Sequence, residues 1–481
     1  MKETSRFYSS LGLLIVLNLI IKPVWIFAID RGVQNFVGTT EYGHYFSLFN
    51  LSIVLGFILD LGFTNYFNRQ LATNPDFFKG QTGNFFLLKI ILAIIYSGVF
   101  ICAAYVTGIG RWDIVAGLIF IQVFTFLFVF TRAIITGSQW FRADAWLSVL
   151  DKTMMIILCG GFLFIPTIFG HITINLFLFF QAISTFTALM VAVIVLRRRG
   201  VSFQISSLHS FFKRKLFVEV LPFTLILLLM SAHIRLDGFM LERIHADGAH
   251  EAGVYAASYR LLDAANMIGI LFASFVLPYM ARQWSSGYDI NPVILNIRHI
   301  LVSFSILTAC TMFFLAPWIH RLLYTHSDEY GAGVLRLCMP ALIGYSLVSV
   351  YGTVMTATGH LYPFCRILLF ALAVNVVLNI ILIPAYGARG CSIAAIISQV
   401  SCGVIAMFYS RNKLHLKMHP ASLIIYIFMI ILLSGFFYMT EELALNPWLT
   451  IILAAMLMVF LVFITRLFDL QNWKQIFKMI H

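Results

Sequence analysis

A few charged side chains interrupt otherwise apolar stretches of this sequence, and their types could do chemistry there. They are Lys22, Asp60, Arg235, Asp237, Arg260 and Asp263. An ionisable group in hydrocarbon costs ~2.5–3.5 kcal/mol on insertion scales, so each needs a partner or a function. Cations can bind anionic groups, and carboxylates can bind protons or metal cations or neutralise the basic side chains.

The two arginines and their neighbouring aspartates leave two interpretations open. Arg260 and Asp263 are three residues apart and share a helix face. Arg235 and Asp237 are about 200° apart on an ideal helix, so at most one of them faces the same direction. A guanidinium group matches phosphate oxygens with two parallel hydrogen bonds. The four residues therefore form either an anion-binding patch or pairs that neutralise one another across neighbouring helices.

Two further charges lie in the first and second apolar runs. Lys22 is beside Pro23, which removes a backbone hydrogen bond and kinks a helix. It is either a functional cation at a gate or a lysine paired with an acid or carbonyl in a packed bundle. Asp60 is either a proton or cation site or a partner of Arg69. Four other cations are predicted to lie near helix ends and to extend to the interface: Lys89, Arg132, Arg336 and Arg366.

The composition indicates that a bilayer surrounds most of the chain. Of 481 residues, 61% are hydrophobic and 11% are charged, whereas a soluble domain is about half apolar and about a quarter charged. The net charge of +12 falls in short loops, so it reflects membrane orientation and no nucleic-acid partner is expected. The seven cysteines contain no CxxC pair, and neither a metal site nor a cofactor is expected. The common sequence motifs of hydrolases, zinc enzymes and nucleotide-binding enzymes are absent.

The apolar runs predict an all-α polytopic membrane protein with fourteen spans of ~20 residues. Their approximate limits are 9–29, 42–64, 85–107, 114–137, 150–169, 172–196, 217–241, 254–280, 293–317, 334–358, 361–384, 390–410, 421–440 and 447–465. The start resembles a signal peptide, but no small-residue cleavage site follows, so we interpret it as a retained first span. Basic residues are concentrated in alternate loops, which predicts that both termini are cytosolic.

The chain also contains an internal repeat. The matched positions are Glu41 with Glu251, Gly43 with Gly253, Tyr45 with Tyr255 and Leu51 with Leu261. Transporters built from repeats bind substrate where the halves meet. We expect an amino-terminal lobe at 1–200, a cytosolic linker at 201–216, a carboxy-terminal lobe at 217–415, and a helix pair with its tail at 416–481.

Three segments carry a resemblance to a known family. They are EYGHYFSLFNLSIVLGFILDLGFTNYFNRQLA at 41–72, GVYAASYRLLDAANMIGILFASFVLP at 253–278, and NVVLNIILIPAYGARGCSIAAIISQ at 375–399. The second resembles the eighth-helix signature of the bacterial polysaccharide (lipid-linked oligosaccharide) flippases. The IP-x-YG-x-x-G core of the third resembles the turn between the eleventh and twelfth helices of that family. These flippases belong to the multidrug/oligosaccharidyl-lipid/polysaccharide exporter superfamily.

The resemblance implies two six-helix lobes in a V around a central cavity, plus a carboxy-terminal helix pair. It implies a flippase, not an enzyme, that moves undecaprenyl-diphosphate-linked oligosaccharide units across the bacterial inner membrane by alternating access. The cavity cations that bind substrate would be Lys22, Arg235 and Arg260. The acids Asp60, Asp237 and Asp263 would serve in coupling or ion pairing. The partners would be the lipid-linked glycan, the bilayer, a coupling proton or sodium ion, and the polysaccharide assembly machinery.

Three alternatives stay open. A cation-coupled multidrug exporter of the same superfamily would favour an acid-rich cavity. A membrane polysaccharide polymerase or glycosyltransferase would favour a long outer loop with catalytic residues, and the outer loops predicted here are short. A flippase for the peptidoglycan precursor differs only in its substrate.

Overall fold

The structure is a computed structural model that describes residues 2–64, 82–201, 214–325, 327–416, 421–465 and 467. Within these ranges it contains helices and no β-strand. The helices are α1 Lys2–Val24, α2 Arg31–Val37, α3 Thr39–Leu55, α4 Phe57–Asp60, α5 Thr82–Val106, α6 Trp112–Gly137, α7 Phe141–Phe164, α8 Pro166–Phe169, α9 Ile174–Arg198, α10 Arg214–Ile244, α11 Gly248–Ser285, α12 Asn291–Phe314, α13 Ala316–Leu323, α14 Glu329–Cys338, α15 Ala341–Ala357, α16 Leu361–Leu414, α17 Ala421–Glu442 and α18 Pro447–Ile464. The predicted all-α membrane class is confirmed. Most of the predicted linker at 201–216 lies outside the described residues.

Twelve helices of the described part are long and apolar enough to cross a membrane. One of them, α16, has 54 residues, which at ~1.5 Å per residue is enough for two crossings. Its backbone breaks at Gly387, with φ 53° and ψ −130°, in the predicted turn between spans eleven and twelve. The predicted eighth span corresponds to α11, a 38-residue helix outside the twelve. With α16 counted twice and α11 added, the helices account for the fourteen predicted spans.

The predicted fifth span, 150–169, is shifted along the chain. Its helix is α7, Phe141–Phe164, and Pro166 begins the short α8. Proline lacks a backbone N–H and disfavours helical geometry in the residue before it, so the long helix ends there. Asp151 and Lys152 consequently lie near the middle of the span and not at its start.

The first span changes its helical type midway. Pro23 lies in the last turn of α1, and a π-helical turn, Trp25–Asp30, follows directly and leads into α2. Proline supplies no N–H to the α-helical ladder, and π turns occur frequently at functional sites. A π turn thus begins two residues after Pro23, and the kink predicted at Pro23 stays a prediction.

The described chain divides into two compact units, Met1–Phe239 and Met240–His481. In the first unit, Phe63, Phe130 and Leu196 are fully buried in an apolar core. In the second unit, Gly344 lies so close to α16 that a Cβ atom there would approach the backbone N of Val400 to 2.6 Å. Small residues permit this close approach of membrane helices. The predicted lobe boundaries stay predictions.

The matched tyrosines of the internal repeat are each buried in their own unit. Tyr45 and Tyr255 are 1% and 0% exposed. The two glutamates that begin the repeat both make polar contacts at helix starts. Glu41 pairs with Arg111 at 2.8 Å, and Glu251 accepts a hydrogen bond from the Ala388 N–H at 2.7 Å.

Candidate functional site

Lys22 lies in α1 just before the π turn, and its side chain is half-buried. It makes no hydrogen bond or close ion pair with any described residue. The charged groups that act on it electrostatically are Asp151, which attracts it, and Lys152 and Arg132, which repel it. Among the described residues Lys22 thus has the attraction of Asp151 without a direct ion pair, and both interpretations of Lys22 stay predictions.

Asp151 and Lys152 of α7 were not predicted as site residues. The Lys152 ammonium lies 3.2 Å from Asp151 Oδ2, and both side chains are partly exposed, at 23% and 18%. The same ammonium lies 4.4 Å from the centroid of the Trp25 ring, within the range of a cation–π interaction. The sequence signal that could have found the pair was the break at Pro166, which sets the position of α7 within the membrane.

Polar contacts hold α1 and α7 together beside this cluster. The Asn18 side chain is 3% exposed and donates to Ser148 Oγ at 2.8 Å. Arg132 of α6 donates to Asp144 at 2.8 Å near the start of α7. Arg132 is thus paired with Asp144, and its predicted position at the interface stays a prediction. Lys22 lies in α1, which packs on α7.

Asp60 is paired inside the first unit. Lys89 Nζ lies 2.6 Å from Asp60 Oδ1 and 3.1 Å from the Leu59 carbonyl oxygen. The ammonium also lies 5.3 Å from the Phe130 ring centroid. The prediction that Lys89 extends to the interface is wrong, because its side chain is only 2% exposed. The alternative partner, Arg69, lies outside the described residues.

The chain turns sharply directly after Asp60. Leu61 and Gly62 both have positive φ, at 46° and 72°, and a left-handed Leu is disfavoured by ~1–2 kcal/mol. Thr224 of α10 donates its hydroxyl to the Leu61 carbonyl oxygen at 2.7 Å. This contact caps the end of the second span and positions Asp60 against Lys89.

Arg235 and Asp237 lie in α10, at the end of the first unit. Asp237 is 2% exposed and Arg235 is half-buried, and each takes part in interactions with other groups. The next residue, Gly238, packs on α3, where a Cβ atom would lie 2.7 Å from Phe46 Cε1. The side-chain oxygen of Asn50 in that helix is buried without a hydrogen-bond donor among the described residues.

Arg260 and Asp263 lie in α11 of the second unit. Arg260 is 8% exposed and Asp263 is half-buried, and both take part in interactions with other groups. Beside them, the hydroxyls of Tyr259 and Tyr345 are 3.3 Å apart and join α11 to α15. The structure thus brings Arg260 and Asp263 together on one helix and places Lys22, Asp60, Arg235 and Asp237 in the other unit.

Among the described residues, no group of three or more His, Cys, Asp or Glu side chains is arranged to hold a metal ion. Some charged residues of the described spans pair with one another, as Lys89 does with Asp60. Others donate to hydroxyl or carbonyl oxygens, as Arg298 does to Ser422. Such a set can bind an anion or exchange a proton.

A sequence model of the family described as "Polysaccharide biosynthesis protein" matches residues 8–284, more than half of the chain. The chain belongs to this family. No curated protein matches it.

The fold of this family member is also that of several solved transporters. A structure described as "Lipid II flippase MurJ, inward closed conformation" superposes with a TM-score of 0.74 at 13% identity and covers 94% of this chain and 98% of that one. An inward-facing multidrug resistance MATE transporter of the MOP superfamily superposes with a TM-score of 0.58 at 15% identity, and the match covers 83% of this chain and 94% of that one. A MOP superfamily transporter from Pyrococcus furiosus superposes with a TM-score of 0.62 at 15% identity, and the match covers 86% of this chain and 95% of that one. These TM-scores establish that the chain shares its fold with the lipid II flippase and with the two MOP superfamily transporters.

The structure gives a physical reason for the IP-x-YG-x-x-G segment of this family member. Gly387 has a backbone conformation that residues with a Cβ atom rarely adopt. A Cβ atom at this position would also collide with the Glu251 carboxylate. That carboxylate accepts hydrogen bonds from Tyr330 Oη at 2.5 Å and from the Ala388 N–H at 2.7 Å. Glycine at this position lets α11 be tied to the turn within α16.

Arg298 of α12 is buried, with the residue 2% exposed. It donates to Tyr351 Oη at 3.3 Å and to Ser422 Oγ at 3.1 Å. Its neighbour His299 lies 2.6 Å from Tyr426 Oη. These contacts join α17, the first helix of the predicted carboxy-terminal pair, to the rest of the second unit.

Proposed function

We propose that this family member translocates oligosaccharides carried on undecaprenyl diphosphate across the bacterial inner membrane. The observation that carries the proposal is the match of residues 8–284 to the polysaccharide biosynthesis family. The likeness in fold to a lipid II flippase supports it, since that flippase is named for a lipid substrate. The mechanism would be alternating access, in which the substrate site opens to one side of the membrane at a time while the lipid tail stays in the bilayer.

The residues that would bind the charged headgroup are Lys22, Arg235 and Arg260. A cation within a span is costly unless something compensates it, and a diphosphate supplies two negatively charged groups with many acceptor oxygens. Arginine meets such oxygens with a planar fork of donors, and lysine acts as a point charge. Asp237 and Asp263 would serve as the ion-pairing partners of the arginines when substrate is absent.

The energy source would be a bound proton or sodium ion, or the membrane potential. Moving one charge through 100 mV is worth ~2.3 kcal/mol. Asp60 and Asp263 occupy the related helices of the two halves, and at least one of them would take up the coupling ion. The test is the Asp60→Asn/Asp263→Asn double variant. Normal transport with unchanged dependence on pH and sodium would exclude both residues.

The proposed location is the inner membrane, with both termini cytosolic and with the polysaccharide assembly machinery as partner. Thiol labelling of single-cysteine variants would test the orientation. Ser207, which lies outside the described residues, should be protected in intact cells, and Glu442 should be accessible. Labelling of Ser207 from outside would overturn the topology.

Two other substrates are supported by a specific observation, because multidrug transporters and a lipid II flippase share the fold. The deciding experiment uses proteoliposomes with a fluorescent lipid-diphosphate oligosaccharide, fluorescent lipid II, or a cationic dye. The proposal expects transfer of the oligosaccharide lipid to exceed that of lipid II and of the dye. Transport of the dye alone would replace the proposal with drug export.

A further inference from the structure

Two neighbouring side chains in α7 extend the role proposed for Lys22. The contact of Asn18 with Ser148 at 2.8 Å holds α1 on α7 one helical turn before Lys22 and Lys152. Asp151 attracts Lys22 and Lys152 repels it, and Lys152 is 3.2 Å from Asp151. Asp151 is thus the acid that both ammonium groups share. The three groups together carry an excess positive charge in the interior of a span.

Arg132 does not correct this imbalance. It adds a further repulsion on Lys22, and its own partner is Asp144, at 2.8 Å. These two charges cancel each other. The excess charge therefore stays with Lys22 and Lys152, which are held in the first unit by the contact of α1 with α7.

Trp25 adds a hydrogen-bond donor to the same place. Lys152 lies over its ring at 4.4 Å, so the indole and the ammonium are neighbours. The indole Nε1 is buried and has no acceptor among the described residues. A buried donor without an acceptor is unfavourable, and such groups in native proteins are usually satisfied by a ligand, an ion or water.

The cluster differs from the Asp60–Lys89 pair in its exposure. The Lys152 and Asp151 side chains are 23% and 18% exposed, in contrast to the Asp60–Lys89 pair, whose side chains are 7% and 2% exposed. The Asp60–Lys89 pair is closed and has one cation for one acid, whereas the α1–α7 cluster is partly exposed and has two basic side chains for one acid.

We propose that Lys22, Lys152 and the Trp25 indole form one anion-binding site for a phosphate ester, and that Asp151 is the resident counter-ion that the phosphate replaces. This assignment rests on the proposed function for its choice of lipid diphosphate as ligand. It adds Lys152 and Trp25 as residues that contact the ligand. Asp151 competes with the phosphate for the two ammonium groups. Two ammonium groups and one N–H supply donors to several phosphate oxygens, and charge-assisted hydrogen bonds are the stronger kind.

The opposing role of Asp151 makes the site testable. The full-length protein in nanodiscs is titrated with geranylgeranyl diphosphate, geranylgeraniol and inorganic pyrophosphate. The site predicts that Lys152→Gln weakens binding of the lipid diphosphate about tenfold, and that Lys152→Arg restores most of it. Trp25→Phe, which keeps the ring and loses the N–H, should weaken binding a few-fold. Asp151→Asn should tighten binding, because it removes the competing carboxylate.

Arg111→Gln is the matched control. Arg111 is also a cation paired with acids, with a side chain 31% exposed, but it lies between spans, and its loss should leave the affinity unchanged. Thermal unfolding of each variant reports folding independently of binding. If Lys152→Gln does not fold, the tightening by Asp151→Asn and the loss in Trp25→Phe decide the question.

The outcomes separate this site from the proposed function. Unchanged affinity in Lys152→Gln, or weaker binding in Asp151→Asn, would overturn the site even if the wild type binds lipid diphosphate. Equal binding of inorganic pyrophosphate and lipid diphosphate would keep the phosphate site and remove the lipid as its source. Equal binding of geranylgeraniol and its diphosphate by the wild type would overturn the site, and transport in proteoliposomes would still test the function.

Discussion

Lys89 Nζ lies 2.6 Å from Asp60 Oδ1 in the interior of the first unit, where their side chains are 2% and 7% exposed. Removal of one member of such a pair leaves an uncompensated buried charge, which costs ~3–5 kcal/mol. We therefore expect Lys89→Met and Asp60→Asn each to lower the melting temperature and the amount of protein in the membrane.

The double variant Asp60→Asn/Lys89→Met should recover much of that stability, because no charge remains buried. Fluorescence-detected thermal unfolding in detergent measures all three proteins. Additive losses in the double variant would show that the two side chains do not depend on each other.

The second prediction concerns the headgroup contact assigned to Arg260. Arg260→Ala should reduce transport about ten- to a hundredfold, the value of a lost charge-assisted hydrogen bond. Arg260→Lys should also impair transport although it keeps the charge, because lysine cannot form the bidentate contact. Surface glycan and membrane abundance are measured in the same cells, with Arg336→Lys as the control for a cation paired with an acid at 3.2 Å. Loss of the protein itself would instead favour a pairing role with Asp263.

The third prediction concerns Gly387. Gly387→Ala should lower stability by about 1–3 kcal/mol, because alanine must adopt a rare backbone conformation and its Cβ atom would meet Tyr330 Oη at 2.9 Å. Gly435→Ala is the control: its Cβ atom would have no neighbour within 4 Å, and alanine favours the helix. Equal melting temperatures for the two variants would contradict the role of Gly387.

The fourth prediction concerns His320 in α13, between two spans. Burial lowers the pKa of His320 below its usual 6.5, and the charge of Asp328 opposes the shift only in part. The folded protein therefore binds this proton less tightly than the unfolded chain does. Stability is highest above the unfolded pKa and falls as the pH drops through 6.5 and then through the folded pKa.

The measurement is the melting temperature between pH 7.5 and 5, in the wild type and in His320→Gln. The decrease with acidification should be smaller in the variant, which cannot take up the proton. His171→Gln, at an exposed position, should keep the wild-type slope. A slope that His320→Gln leaves unchanged would assign the acid sensitivity to other groups.

The spans could be predicted from the sequence, but most of the side-chain partners could not. Hydropathy and the ~30 Å thickness of the bilayer core fix where helices form, so the span prediction failed mainly where Pro166 ends a helix earlier than its apolar run suggests. Pairs such as Lys89 with Asp60 join residues far apart in the sequence. Spacing within one helix carries no information about a partner on another.

Some residues of the candidate site could likewise be predicted from the sequence, and others could not. Lys22 and Arg260 could be identified because a cation in an apolar run requires an explanation. Lys152 was missed because the predicted fifth span began at residue 150. That start placed Lys152 at the membrane interface, where a lysine side chain reaches water and requires no explanation. Its role depends on the contact of α7 with α1, and a tertiary contact of this kind is not encoded in local periodicity.

The π turn at Trp25–Asp30 also affects how this chain is aligned with its structural relatives. Each i→i+5 hydrogen bond encloses one residue more than an α-helical bond does, and one residue corresponds to ~100° of rotation about the helix axis. A gapless alignment of the first span with a relative that is α-helical throughout is therefore out of register on one side of the turn. At 13–15% identity, such an offset would match Lys22 or Asp30 to a residue on a different helix face, so equivalent positions in this span must be assigned by superposition.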